Sequence, residues 1–206
     1  MDDPKHIVRT GYDKAAEAYT RHRRTHVESE VLDLLDELCA TAPAGSRLLD
    51  AGCGGGVIAA ILSEHFDVVG VDLSIEQLRF ARTISPRARL VCQDITTLSP
   101  PDGSFAAIAC LWTIIHIPRE EHLGLLEIFA RALRPEGLAL LSFGRTDWEG
   151  SEPFFGAELW WSHFDRDTSL ELVERAGFEL VRVVDVDDRP SAKRAPFVLA
   201  RQRNRR

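Results

Sequence analysis

Two rhythms of apolar residues divide the chain. Over residues 28–39, Val31, Leu32, Leu34, Leu35 and Leu38 recur on one helical face and predict a core-facing helix. Residues 5–24 predict an earlier helix, favoured by Ala15, Ala16 and Ala18, with Tyr12 and Tyr19 seven apart on one face. From residue 47 onward the rhythm changes. Short apolar or β-branched runs at 47–51, 68–71, 89–92, 105–112 and 138–143 read as strands, and helical spacing recurs between them at 57–62, 75–84 and 118–133. The run FAAIACLW at 105–112 is nearly unbroken, as expected of a central parallel strand covered on both faces. Pro43 with Gly45, Pro86, residues 100–103 and residues 134–137 mark turns.

Residues 145–165 follow neither rhythm and are expected to be a long irregular segment. Asp167 or Thr168 would cap a last helix ending at Ala176 and Gly177. Strands at 178–186 and 195–202 have no helix between them, so they should pair antiparallel as a hairpin. The alternation predicts an α/β fold: a doubly wound, mostly parallel seven-stranded sheet with a last antiparallel strand and helices on both faces. Residues 1–206 are expected to form one domain. Its parts would be a helical cap (1–44), a ligand-binding core (45–144), an aromatic segment (145–166), and a closing helix and hairpin (167–206).

The densest chemical signal is RLLDAGCGGGVIAAILSEHFDVVGVDLS at 47–74. A glycine-rich turn between strand and helix lets a ligand approach the backbone. Asp72 lies 20 residues after Gly52, where an acid on the neighbouring strand can accept from ribose hydroxyls. A dinucleotide fingerprint counted from Gly52 would need Gly or Ala at Val57; the loop instead reads D-x-G-x-G-x-G through Asp50, Gly52, Gly54 and Gly56. The stretch resembles motif I of the class I S-adenosylmethionine-dependent methyltransferases, and the resemblance extends over about residues 12–202. It implies the seven-stranded Rossmann-like fold, S-adenosylmethionine as cofactor, and cofactor contacts from Asp50, Ala51, Gly52, Gly54, Asp72, Leu73 and Leu111. It also implies that Asp94 accepts from the adenine amino group while Ile95 packs on the ring, although an aspartate capping a turn is the competing reading. Tyr12, Asp13, Ala16 and Tyr19 resemble the Y-D-x-x-A-x-x-Y opening of small methyltransferases. That match implies Tyr12 or Tyr19 at the methionine end with Arg24 facing its carboxylate; a simple packing face is the alternative.

Acceptor chemistry should face the ends of the fourth and fifth strands. His116, in WTIIHIP, is the best-placed general base, against a structural or cofactor-side histidine. His163 in WWSHFD is a second base candidate, with His163 and Asp165 as helix-entry polar groups the competing reading. Trp112 and the aromatic segment with Trp148, Trp160 and Trp161 are expected to line an acceptor pocket, the alternative being a segment tucked into the core.

Composition narrows the partners. A net charge of −7 argues against a broad nucleic-acid surface, despite basic residues at 21–24 and 201–206. Cys39, Cys53, Cys92 and Cys110 show no metal spacing and read as buried thiols in a reducing compartment, and no metal is expected. No apolar run of 18 and no signal peptide occur, so the expectation is a cytoplasmic chain without a membrane partner. The fourth strand ends in Cys110-Leu111-Trp112-Thr113, unlike the [DN]-P-P-[YF] of enzymes that methylate base amines. The expected function is methyl transfer to an O or N atom of a small-molecule acceptor, with oligomeric state open. The rivals are an RNA or protein modifier using residues 21–24 and a non-catalytic cofactor-binding partner subunit.

Overall fold

A computed structural model describes residues 3–188 and 193–203; residues 204–206 of the basic terminal stretch lie outside the described residues. Helices α1 (Pro4–Arg23) and α2 (Ser29–Thr41) precede β1 (Arg47–Ala51). The core continues α3 (Val57–Leu62), β2 (Asp67–Asp72), α4 (Ile75–Ile84), β3 (Arg89–Cys92) and β4 (Phe105–Cys110), then α5 (His122–Ala132) and β5 (Leu133–Ser142). It closes with β6 (Trp148–Phe154), β7 (Ala157–His163), α6 (Arg166–Arg175), β8 (Phe178–Asp188) and β9 (Lys193–Gln202). The main sheet has seven strands in the order 3-2-1-4-5-9-8. Its first five strands pair parallel, and β9 runs antiparallel to both β5 and β8, as the absence of a helix between the last two strands predicts.

Alternation along the central strands divides the core into two layers. Leu49, Ile108, Cys110, Ala139 and Leu141 face α5 and α6, where Leu126, Phe129 and Val173 are buried. Leu48, Ala107, Ala109, Leu138 and Leu140 face α2 and α3, covered by Leu34, Leu38, Ala59 and Leu62. Helix α1 starts on Pro4, capped by the Asp3 side chain, and packs against α4 and β7. Gly11 makes the second contact possible: a methyl there would overlap the Glu158 carbonyl and the Leu159 side chain.

Four local expectations need correction, the first being burial of the thiols: Cys92, at the end of β3, is exposed. Residues 145–165 are largely ordered: β6 and β7 form an antiparallel hairpin, turned by Phe155 (φ 48°) and Gly156 (φ 78°). The turn expected at 134–137 lies within β5, as an irregularity against β4 with Glu136 at φ 63°. The helix expected from Pro118 starts at His122, after a 3-10 turn over Arg119–Glu121.

Candidate active site

The parallel strand order changes direction between β1 and β4, and the crevice at their carboxyl ends is where ligands bind in open α/β sheets. The glycine loop occupies that crevice. Gly52 and Cys53 donate their backbone N–H groups to the Val71 carbonyl at 2.7 and 3.0 Å, pinning the loop to β2. Most of its glycines are required by the protein itself. A methyl on Gly52 would overlap Thr113, one on Gly55 would overlap Thr20 of α1, and one on Gly56 would stand 2.8 Å from Ala81 Cα. Gly54 (φ 49°) differs: nothing lies nearer than Gln77 Oε1 at 3.8 Å, and it borders an open cavity.

Two carboxylates line this first cavity beside Gly54. Asp50 is buried, and its Oδ2 has no hydrogen-bond partner among the described residues. Burial, then the charge of Asp72, pushes its pKa up to about 7. Asp72 accepts from the Gly54 and Ser74 amides, each at 2.8 Å. Burial raises it to about 6 while those amide bonds pull the other way. Leu73, Ile95 and Leu111 line the same cavity, but Ala51 does not: strand alternation turns its methyl into the core with Leu49. Asp94 also lines it, already engaged. Its Oδ1 caps a 3-10 turn by accepting from Thr96 N at 2.9 Å, and its Oδ2 pairs with Lys5 of α1 at 2.9 Å. Burial would raise the Asp94 pKa, but the bonds from Lys5 and Thr96 outweigh it and hold the carboxyl below its usual range.

The arginine on the cavity wall is Arg23, where Arg24 was expected; Lys5 is the other basic residue there. Arg24 is exposed at the end of α1. Helical phase explains the exchange, because four residues carry Tyr19 round to Arg23 on the same face. Arg23 lies over the Trp112 ring with 3.8 Å between guanidinium carbon and centroid, donates to Tyr19 Oη at 3.3 Å, and pairs with Glu28 at 3.4 Å.

A second cavity of about 580 Å³ adjoins the first, within the range of small-molecule sites. Tyr12, Tyr19, Arg23, Trp112 and His116 line both. The hairpin supplies Phe154, Phe155 and Trp161, and Trp148 lines the mouth at 44% exposure. Trp160 lines neither cavity: alternation on β7 sends Trp161 and His163 inward and Trp160 the other way. Trp112 sits at φ 54°, a left-handed conformation that ends β4 and costs on the order of 1 kcal/mol in a bulky residue.

His116 lines both cavities and is held from two sides. Its Nδ1 donates to the Trp160 carbonyl at 2.8 Å, since a carbonyl can only accept. Nε2 is then the acceptor for Tyr12 Oη at 2.9 Å. Burial lowers the His116 pKa to about 4, against the Trp160 bond that would raise it. His163 lines the second cavity and donates from Nδ1 to the Thr146 carbonyl at 2.5 Å. Asp165 caps α6 by accepting from Thr168 N at 2.9 Å, a helix-entry role.

Residues 48–137 match the family model described as a methyltransferase domain. Over that stretch the chain is similar to methyltransferase domains. It is 32% identical over 168 residues to a phosphoethanolamine N-methyltransferase of Triticum aestivum, covering 77% of this chain and 32% of that protein. It is 30% identical over 103 residues to a ubiquinone biosynthesis O-methyltransferase of Coxiella burnetii, covering 48% of this chain and 43% of the relative. The chain thus spans less than half the length of these curated relatives. Among solved structures, magnesium protoporphyrin IX methyltransferase of Synechocystis PCC 6803 with bound S-adenosylmethionine superposes at TM-score 0.74, with 19% identity and 98% of each chain covered. A TehB-like methyltransferase of Corynebacterium glutamicum gives 0.66, with 24% identity over 92% of this chain and 98% of that one. These two likenesses show the fold.

The methyltransferase cofactor also suits the first cavity on chemical grounds. An unpartnered buried carboxylate oxygen at Asp50 fits an ammonium group, and the open face at Gly54 leaves room where a side chain would intrude. The sequence reading missed Lys5, although it shares the face of Tyr12 and Tyr19 at seven-residue spacing. Among the described residues no helix is long and apolar enough to cross a membrane, and no three or more His, Cys, Asp or Glu group together to hold a metal.

Proposed function

We propose that this domain transfers a methyl group from S-adenosylmethionine to an O or N atom of a small-molecule acceptor in the second cavity. The observation carrying this reading is the shared wall: Tyr12, Tyr19, Arg23, Trp112 and His116 border both cavities, so a donor in one and an acceptor in the other meet there. When bound, S-adenosylmethionine supplies a methyl on positively charged sulfur, already activated for in-line displacement. Asp50 would hold the ammonium group, Arg23 the carboxylate, Asp72 the ribose hydroxyls, and Leu73 with Ile95 the faces of the adenine. Asp94 would reach the adenine amino group by sharing its carboxylate with Lys5. Holding two reactants in line supplies on the order of 7–11 kcal/mol of barrier reduction.

A hydroxyl acceptor must also lose a proton. Tyr12 Oη would accept it while the phenolic proton passes to His116 Nε2, and the Trp160 carbonyl would steady the imidazolium through Nδ1. The charge gained by His116 replaces the charge lost in the transfer, so the net charge at the shared wall is constant. Such proton transfer contributes roughly 10²–10⁴-fold. The relatives' names include both N- and O-methylation, in keeping with either attacking atom. Residues 1–44 act as cap, 45–144 as cofactor core, 145–166 as acceptor wall and 167–206 as closing elements of one domain. An RNA or protein acceptor is disfavoured because the hairpin walls a cavity of small-molecule size. The test is incubation with methyl-labelled cofactor and a small-molecule extract, followed by mass spectrometry. The expected result is a labelled low-mass product. Cofactor binding in calorimetry with no labelled product would leave a non-catalytic binding subunit and overturn the reading.

A further inference from the structure

The charge of the second cavity bears on its ligand. In a chain of net charge −7, its described wall carries Arg23, Arg145 and Arg194 against one acid, Glu152. Arg23 is paired with Glu28. Arg145, the third residue after β5, has no side-chain hydrogen bond or ion pair among the described residues. The acids that follow it, Asp147 and Glu149, both pair with Arg119. Arg194 on β9 donates to the Asp185 carbonyl at 3.1 Å, a neutral group. Its charge also reaches Glu30, as the least of the causes that lower the Glu30 pKa after that residue's own backbone bond. Both arginines are exposed in the ligand-free chain, so holding them at a cavity mouth costs little until a ligand arrives.

We infer that the acceptor bears an anionic group, a carboxylate or a phosphate, held by Arg145 and Arg194 while its less polar part lies among Phe143, Phe154 and Trp161. The inference rests on the methyl-transfer reading and specifies its substrate class. Arginine suits such a ligand because its planar fork presents paired donors to two oxygens. The aromatic rings nearby give no such preference: many already pack on one another, as Phe154 does on Trp161 with centroids 5.3 Å apart.

The experiment passes a small-molecule extract over a strong anion exchanger at pH 8 and assays the flow-through and the salt eluate with methyl-labelled cofactor. The labelled product should come from the salt eluate. Phosphatase treatment of the eluate beforehand distinguishes the two sources: lost acceptor activity means a phosphate, retained activity a carboxylate. With that fraction, Arg145→Gln and Arg194→Gln should each raise KM about tenfold or more, the expected loss for a charge-assisted contact. Their cofactor affinity by calorimetry should match the parent, which also verifies folding. Acceptor activity in the flow-through, or KM unchanged in both variants, would overturn the inference while leaving methyl transfer intact. No product from either fraction would instead remove the catalytic reading, and the inference with it.

Discussion

Replacing Asp50 by Asn should separate cofactor binding from stability. In the ligand-free protein, burial and then Asp72 move this carboxyl from an ordinary 3.8 to about 7. Between those values the folded chain keeps a proton that the unfolded chain has released. Its contribution to stability is therefore complete below pH 3.8 and is lost as pH rises through about 7. At pH 8, ionising the group in place costs about 4 kcal/mol, from roughly 1.4 kcal/mol for each tenfold change in proton affinity. Asparagine keeps the shape and removes the charge, but it buries an amide that costs about 1–3 kcal/mol if unpaired. The ligand-free Asp50→Asn chain should thus be about 1–3 kcal/mol more stable than the parent at pH 8, with much of that gain gone at pH 5. Urea unfolding at the two pH values measures this, and an unchanged slope would show that the unfolded state is comparable. Repeating the unfolding with saturating S-adenosylmethionine should reverse the order, because the parent alone offers a carboxylate to the ammonium group. A variant less stable than the parent at pH 8 without ligand, or one binding S-adenosylmethionine within threefold of the parent, would refute the reasoning.

Arg23→Gln should weaken S-adenosylmethionine about tenfold or more and lower the melting temperature, whereas Arg24→Gln should do neither; equal effects in calorimetry would contradict the assignment by helical phase. Gly55→Ala drives a methyl into Thr20 and should cost about 1–3 kcal/mol, read by thermal melting; an unaltered melt would deny the contact between loop and α1. With a pKa near 4, His116 stays neutral across physiological pH, so kcat/KM should show no inflection from it between about pH 5.5 and 8. An inflection near the ordinary histidine value that disappears in His116→Gln would count against the buried, neutral ring. Amide exchange in α1 and β7 should slow in step when cofactor binds, and protection confined to α1 would mean that the Gly11 contact does not couple them.

The strand and helix sequence from residue 47 to residue 92 was legible because each apolar run carries one period and ends at a turn residue. The β6–β7 hairpin was not. WEGSEPF is almost wholly exposed and holds a proline, so it has no buried face to produce alternation. The turn at Phe155-Gly156 was its only local signal, and a positive φ at phenylalanine is not readable from composition. The two aspartates of the glycine loop were visible as a motif, but the reason for the glycines was not. Thr113, Thr20 and Ala81 come from distant parts of the chain, and only folding shows that they occupy the space a side chain would need. Arg23 was within reach of the sequence, since it continues the face of Tyr12 and Tyr19. The Lys5–Asp94 pair joins residues far apart in the chain, and no local pattern anticipates it.

The bare backbone at Gly11 has a kinetic corollary. Because α1 rests there directly on β7, neither wall of the two adjoining cavities can shift without pressing on the other. A shift that frees a spent donor would then also loosen the wall around a finished product, coupling their two departures.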